Sequence, residues 1–108
     1  MRILLDECVP ARLRRAFPGH SVKTVTECGW RSGKDFALLG FAEKTFDVFV
    51  TVDRRLSREN DLSRYRLGFL IANVPNNRLE AFEPLFERLK LAAESVKPGE
   101  LIFVEKPQ

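Results

Sequence analysis

Three carboxylates stand where the ends of neighbouring strands would bring acidic side chains together. Asp6 follows a short apolar run at the start of the chain, and Asp53 follows the clearest apolar run in the sequence. Asp35 opens the helical pattern that leads into that second run. In an open α/β sheet, ligands bind outside the carboxyl ends of the strands. If the loop of residues 26–34 folds back over this edge, the three carboxylates converge there.

Three such carboxylates would repel one another, and each would raise the pKa of its neighbours. A hard divalent cation removes the repulsion, and ligands that are all oxygen suit Mg²⁺ or Mn²⁺ rather than zinc. A cation so held can lower the pKa of a bound water and orient a phosphodiester for in-line attack. We therefore expect Asp6, Asp35 and Asp53 to be both metal ligands and catalytic residues of a hydrolytic nuclease. His20 is the only histidine, which excludes a zinc site built on several histidines.

Each carboxylate also has a purely structural interpretation. Asp35 could cap its helix, alone or with Ser32 three residues earlier, and Asp53 could cap a helix that begins at Arg54. Asp6 is harder to explain in this way because strands disfavour aspartate. Glu7 follows Asp6 directly, so its side chain should point elsewhere.

Arginines are grouped near these positions. Arg12, Arg54, Arg55 and Arg58 are candidates for holding a phosphodiester, since basic side chains around an acidic metal site attract a polyanion. The alternative is that these arginines only solvate exposed helix faces.

Strand patterns alternate with helix patterns along the chain, which predicts a parallel sheet covered on both faces. Strands are expected at residues 2–5, 21–25, 48–52, 68–72 and 101–104, and helices after Pro10, from Asp35 to Thr45, within 54–64 and from Arg78 to Val96, with Pro84 in a first turn or at a kink. The predicted fold is α/β: a three-layer α/β/α sandwich with a mostly parallel five-stranded sheet. Asp6 and Asp53 should then end neighbouring strands, at the switch point between them.

Length and composition limit the classes of protein. A chain of 108 residues, 44% hydrophobic, is expected to form a single domain over 1–108. It has no run of about 20 apolar residues, so no membrane contact is expected, and it shows no signal-peptide pattern. With Cys8 and Cys28 as the only cysteines, we expect free thiols and a cytoplasmic location.

Four motifs, in order and suitably spaced, resemble the small PIN-like proteins of prokaryotes. In that family they are an L-D-E-N-L-P opening, a G-H-D-V…T-V…E-x-G segment, a D-x-x-L-L-x-x-A helix and a V-x-T-x-D strand end. The residues that resemble them are Leu5-Asp6-Glu7-Cys8-Val9-Pro10; Gly19-His20-Ser21-Val22 with Thr24-Val25 and Glu27-Cys28-Gly29; Asp35 with Leu38-Leu39 and Ala42; and Val50-Thr51-Val52-Asp53. The match covers residues 1–56 in detail.

This resemblance implies a PIN-like α/β/α domain and metal-dependent cleavage of RNA, often as the toxin of a toxin–antitoxin pair. The implied acidic positions fall on Asp6, Asp35 and Asp53. RNA and an antitoxin protein are the implied partners, and a homodimer is an open alternative to the monomer. In one respect the chain departs from the family, which usually has a second acidic residue two positions after Asp53, where this chain has Arg55. That departure leaves open a PIN-like binding module without catalysis.

A phosphoacceptor receiver domain is the other alternative. Asp6 and Glu7, Asp53 and Lys106 follow the layout of such a domain. Asn73 stands where a receiver would have a small hydroxyl residue after its fourth strand. The sequence also has no residues for a final helix after the fifth strand.

Overall fold

The computed structural model describes residues 1–30 and 35–107, with Asp35 described by its backbone alone. Five strands form one sheet in which every pair of neighbours is parallel, in the order β2-β1-β3-β4-β5. The strands are β1 (Arg2–Leu5), β2 (Ser21–Thr24), β3 (Val48–Thr51), β4 (Gly68–Ala72) and β5 (Leu101–Val104). This is one of the common doubly wound orders, and its switch point lies between β1 and β3.

The helices connect these strands and cover the sheet. They are α1 (Asp35–Thr45), α2 (Arg55–Glu59), α3 (Leu79–Phe82) and α4 (Phe86–Ser95), with 3₁₀ helices at Ala11–Ala16, Leu62–Arg64 and Glu83–Leu85. None of the helices in the described part of the chain is long and apolar enough to cross a membrane.

Alternation along the strands divides the core into two clusters, one on each face of the sheet. Ile3 and Leu5 of β1 face the cluster that contains Leu89 and other side chains of α4. Leu4, between them, faces the cluster that contains Leu39 of α1. All four residues of β3 and all five of β4 are buried, as central strands covered on both faces require. The predicted α/β sandwich with a five-stranded parallel sheet is therefore confirmed.

Pro84 divides the long helix that the sequence predicts from Arg78 to Val96. The prediction that Pro84 lies in a first turn or at a kink is confirmed: α3 ends at Phe82, and Pro84 lies in the 3₁₀ turn that precedes α4. A proline inside a helix lacks the N–H for the i→i−4 hydrogen bond and clashes with the preceding turn. The backbone therefore forms a 3₁₀ turn at Pro84 and then continues as α4.

A turn after β2 fixes the motif segment that ends at Gly29. The carboxylate of Glu27 accepts hydrogen bonds from the Thr24 N–H at 2.9 Å and from Arg14 at 2.8 Å, and the Thr24 hydroxyl accepts the Glu27 N–H at 3.0 Å. Gly29 has φ +81°, a conformation that favours glycine. The backbone hydrogen bond at Thr24 is the largest cause of the lowered pKa of Glu27. In this chain, the glutamate and glycine of that motif therefore have a structural role.

Cys8 and Cys28 are both free thiols, as expected. Cys8 packs against the cluster on the α4 side of the sheet, and Cys28 packs against the cluster on the α1 side.

Candidate functional site

The candidate site lies at the carboxyl ends of β1 and β3. These strands pair in parallel, with Leu5 opposite Val50. The Asp6 N–H donates to the Val50 carbonyl at 2.9 Å, which extends the ladder by one residue beyond β1. The backbone of Asp6 is thereby held against β3, and Asp53 follows β3 two residues after its last position. The structure confirms that the two residues follow neighbouring strands on either side of the switch point.

Asp6 is half-buried, and both of its carboxylate oxygens accept hydrogen bonds. Oδ1 accepts the backbone N–H of Glu7 at 2.8 Å. Oδ2 accepts the hydroxyl of Thr51 at 2.7 Å and contacts Sγ of Cys8 at 3.5 Å. Donors to an ionised acceptor make the stronger class of hydrogen bond, so these contacts fix the orientation of the carboxylate. The side chain of Glu7 is exposed, and only its backbone N–H contributes to these contacts.

Thr51 links the two aspartates and was missed by the sequence reasoning. Its side chain is fully buried, and the hydroxyl donates to Asp6 while accepting the N–H of Asp53 at 3.1 Å. A single hydroxyl therefore fixes the side chain of one aspartate and the backbone of the other. One feature of the sequence could have identified it: Thr51 is the only polar residue within the apolar run from Val48 to Val52.

Arg55 covers the carboxylate of Asp53. Nε of Arg55 lies 3.1 Å from Oδ1 of Asp53, and Nη2 lies 3.1 Å from Oδ2. The backbone N–H of Arg55, the first residue of α2, also donates to Oδ1 at 2.9 Å. The N-cap position of α2 is Arg54 rather than Asp53, so the predicted cap of a helix beginning at Arg54 was wrong. The hydrogen bond from the Arg55 side chain is the main cause of the lowered pKa of Asp53. The residue that replaces the expected acid is thus an ion-pair partner of Asp53.

The other candidate arginines are all exposed. Arg54 donates to Oδ1 of Asn73 at 2.6 Å, which ties the start of α2 to the end of β4. Arg58 is close enough to contribute to the lowered pKa of Asp53. Arg54, Arg55 and Arg58 thus lie in α2 or at its start, directly after Asp53 in the chain. Arg12 lies in the 3₁₀ helix after β1, and within the described residues no hydrogen bond joins it to either aspartate.

A separate cleft lies at the carboxyl edge of the sheet. It is lined by residues that follow β4 and β5: Asn73, Val74, Pro75, Glu105, Lys106 and Pro107. Because Arg54 binds Asn73, the cleft adjoins the arginines of α2. The amide of Asn73, at the position where a receiver domain would have a hydroxyl, accepts the hydrogen bond from Arg54.

Cys8 occupies the position of the asparagine in the family's opening motif. Its Sγ lies 3.5 Å from the Thr51 hydroxyl as well as from Asp6, and burial raises the pKa of the thiol. The side chain is therefore a neutral thiol at physiological pH.

The described residues offer two carboxylates for a cation, and the third lies outside the description. The side chain of Asp35 falls among the residues that are not described, so the predicted meeting of three carboxylates stays a prediction. In residues 1–30 and 36–107, no three His, Cys, Asp or Glu side chains are placed to hold a metal together. The oxygen donors of Asp6 and Asp53 have the chemistry that Mg²⁺ or Mn²⁺ requires. Binding would require Arg55 to leave the oxygens of Asp53.

No protein-family model matches the chain, and neither the curated proteins nor the solved structures include a match.

Proposed function

We propose that the chain is a Mg²⁺- or Mn²⁺-dependent ribonuclease whose site is formed by Asp6 and Asp53, with Asp35 as the third carboxylate. The observation that carries the proposal is the link through Thr51, which joins the two aspartates across the switch point of a parallel sheet. This link fixes the carboxylate of Asp6 and the backbone of Asp53 at a sheet edge, and carboxylate oxygens at such an edge suit the binding of a hard cation and a ligand. The proposed role is that of the toxin in a toxin–antitoxin pair, with RNA as substrate and an antitoxin protein as partner.

The aspartates and the arginines would have different roles in cleavage. Asp6 and Asp53 supply carboxylate oxygens, and a cation bound between them would lower the pKa of an attacking water. Arg54 and Arg58 lie at the start of α2 and within it and would bind phosphates. When a cation binds, the guanidinium of Arg55 would leave the carboxylate of Asp53 and bind a phosphate oxygen of the RNA instead. Exposed ion pairs contribute only about 0–1 kcal/mol, so this exchange costs little.

Cleavage of labelled RNA by purified protein tests the proposal. We expect the protein to cleave RNA in the presence of Mn²⁺ or Mg²⁺ and excess chelator to stop the cleavage. Asp6→Asn and Asp53→Asn should each reduce the rate of cleavage by at least 100-fold, which is on the order of the loss when one catalytic group is removed. Glu7→Gln removes a neighbouring exposed carboxylate and serves as the control. Equal cleavage in excess chelator would refute the metal-dependent mechanism.

The ion pair of Asp53 with Arg55 favours a second candidate function, an RNA-binding module without catalysis. In that case Arg55 holds Asp53 permanently and the cluster of arginines binds the RNA backbone by charge. The two functions differ in one measurement, since a binding module retains RNA with the same affinity in chelator and leaves it intact. Binding of this kind weakens steeply with salt.

A further inference from the structure

The free edge of β5 is apolar and open. β5 lies at the end of the sheet, and among the described residues it pairs with β4 alone. All four of its residues, Leu101–Val104, are apolar, and Phe103 is 52% exposed. The opposite edge is different, because β2 reads Ser-Val-Lys-Thr and exposes Lys23. Proteins commonly protect an edge strand with a charge of that kind, and β5 has none within its length.

Alternation leaves the backbone groups of Leu101 and Phe103 directed away from β4. The Phe69 N–H donates to the Glu100 carbonyl, and the Asn73 N–H donates to the Val104 carbonyl. In a parallel ladder the bonded residues alternate, so residues 100, 102 and 104 bond to β4. The N–H and C=O groups of Leu101 and Phe103 consequently line the free edge.

We propose that a second copy of this chain pairs with β5 through an antiparallel β5–β5 contact centred on Phe103. In this register Phe103 lies opposite Phe103 of the second copy, and Ile102 lies opposite Val104. Glu100 lies opposite Lys106, and the two-fold axis forms this pair twice. Opposite charges on facing strands stabilise an antiparallel pair, whereas like charges destabilise it. Leu101 lies opposite Glu105 in this register. The segment is therefore complementary to itself in hydropathy at its centre, Ile102–Val104, and in charge at its two ends, Glu100 and Lys106.

The groove beside β5 also favours a second copy of this chain as the binding partner. It lies between α4 and β5. Its lining is apolar at Leu91, Ala92, Ile102, Phe103 and Val104 and charged at Arg88 and Glu105. Leu91 projects from α4 and is 58% exposed. A two-fold axis perpendicular to the sheet places the two α4 helices on the same face, side by side across the new strand pair. Leu91 from each copy would then close the groove, with packed helices about 8–10 Å apart.

The dimer is independent of the proposed nuclease function, because β5 and α4 contribute no residue to the aspartate site. Sedimentation equilibrium from about 1 µM to about 1 mM covers weak, transient association. We expect the wild-type chain to dimerise in this range. Lys106→Glu places two like charges opposite each other at both ends of the contact and should weaken association on the order of ten-fold. Lys23→Glu makes the same charge change on β2, at the other edge of the sheet, and should leave association unchanged.

A charge exchange tests the register itself. The double variant Glu100→Lys with Lys106→Glu restores opposite charges across the two-fold axis and should recover dimerisation. Amide exchange gives a second readout, in which protection of Leu101 and Phe103 rises with protein concentration. A chain that stays monomeric throughout, or a double variant as weak as Lys106→Glu alone, would overturn the proposal.

Discussion

The guanidinium of Arg55 makes a two-point contact with the carboxylate of Asp53, with Nε and Nη2 each 3.1 Å from a different oxygen. Asp53 follows the strand next to the one that Asp6 follows, and Thr51 holds both residues in place. The guanidinium therefore occupies the oxygens that a cation would need. Arg55 is 73% exposed, so this contact is open to exchange with ions in solution.

Replacing Arg55 with an acid should increase affinity for Mn²⁺. Arg55→Asp removes the competing guanidinium and adds a carboxylate near Asp53, and ligand charge is a main determinant of cation affinity. We expect affinity to rise on the order of ten-fold or more, measured by titration calorimetry. Arg58→Asp makes the same change of charge in α2 without freeing the oxygens of Asp53, and should produce a clearly smaller gain. Equal gains in affinity for Mn²⁺ in both variants would show that the gain comes from the change in local charge and not from freeing the oxygens of Asp53.

The pKa of Asp53 should depend on Arg55. The guanidinium lowers this pKa in the folded chain, so the ion pair stabilises the fold at pH values above the ordinary aspartate range. That contribution is lost as the pH falls through the lowered pKa, below about pH 4. Arg55→Gln should raise the pKa of Asp53 and remove this contribution. The carboxyl carbon shift of Asp53, followed by NMR during an acid titration, measures this pKa. An unchanged pKa in Arg55→Gln would contradict the assignment of Arg55 as the cause of the lowered pKa.

Loss of the Thr51 hydroxyl should destabilise the fold and loosen the site. Thr51→Val keeps the shape of a fully buried side chain but removes the donor to Asp6 and the acceptor for the Asp53 N–H. We expect the free energy of unfolding to fall by about 1–3 kcal/mol, the range for leaving a buried donor or acceptor without its partner. Urea unfolding provides the measurement. Thr51→Ser retains the hydroxyl and should preserve affinity for Mn²⁺, whereas Thr51→Val should lower it.

Two glycines should respond to alanine in opposite directions. Gly29 has φ +81°, where an alanine side chain is strained, so Gly29→Ala should cost about 1–2 kcal/mol. Gly40 lies within α1, and an added Cβ there would meet no atom within 4 Å. Gly40→Ala should therefore stabilise the fold by roughly 0.5–1 kcal/mol. Urea unfolding of the two variants checks both signs, and a stabilising Gly29→Ala would contradict the turn described after β2.

The sequence predicted the sheet well because the strands carry strong local signals. Residues 48–52 and 67–72 form mainly apolar runs bounded by polar residues, and such runs are typical of buried parallel strands. The neighbouring placement of Asp6 and Asp53 followed from the usual topology of a doubly wound sheet. The break at Pro84 was also visible in the sequence, but its geometry was not, since a proline can either begin a helix or interrupt one.

The contacts within the site could not be predicted in the same way. Thr51 lies within a strand pattern that gives no indication of what its hydroxyl binds, and its partner Asp6 is distant in sequence. Arg55 was identified as a departure from the expected acid, but its contact with both oxygens of Asp53 depends on the turn into α2. The side chain of Asp35 lies outside the described part of the chain, so its part in the site stays a prediction.

Titration of the ¹⁵N-labelled chain with Mn²⁺ shows whether Asp6 and Asp53 bind a cation, because a bound paramagnetic ion broadens amide signals within its reach. We expect the signals of Glu7 and Arg54 to broaden first at low Mn²⁺, and Asp6→Asn or Asp53→Asn to abolish the effect. Mg²⁺ should compete with Mn²⁺ and restore the signals. Broadening that is absent at millimolar Mn²⁺, or that persists unchanged in both variants, would contradict a cation site formed by Asp6 and Asp53.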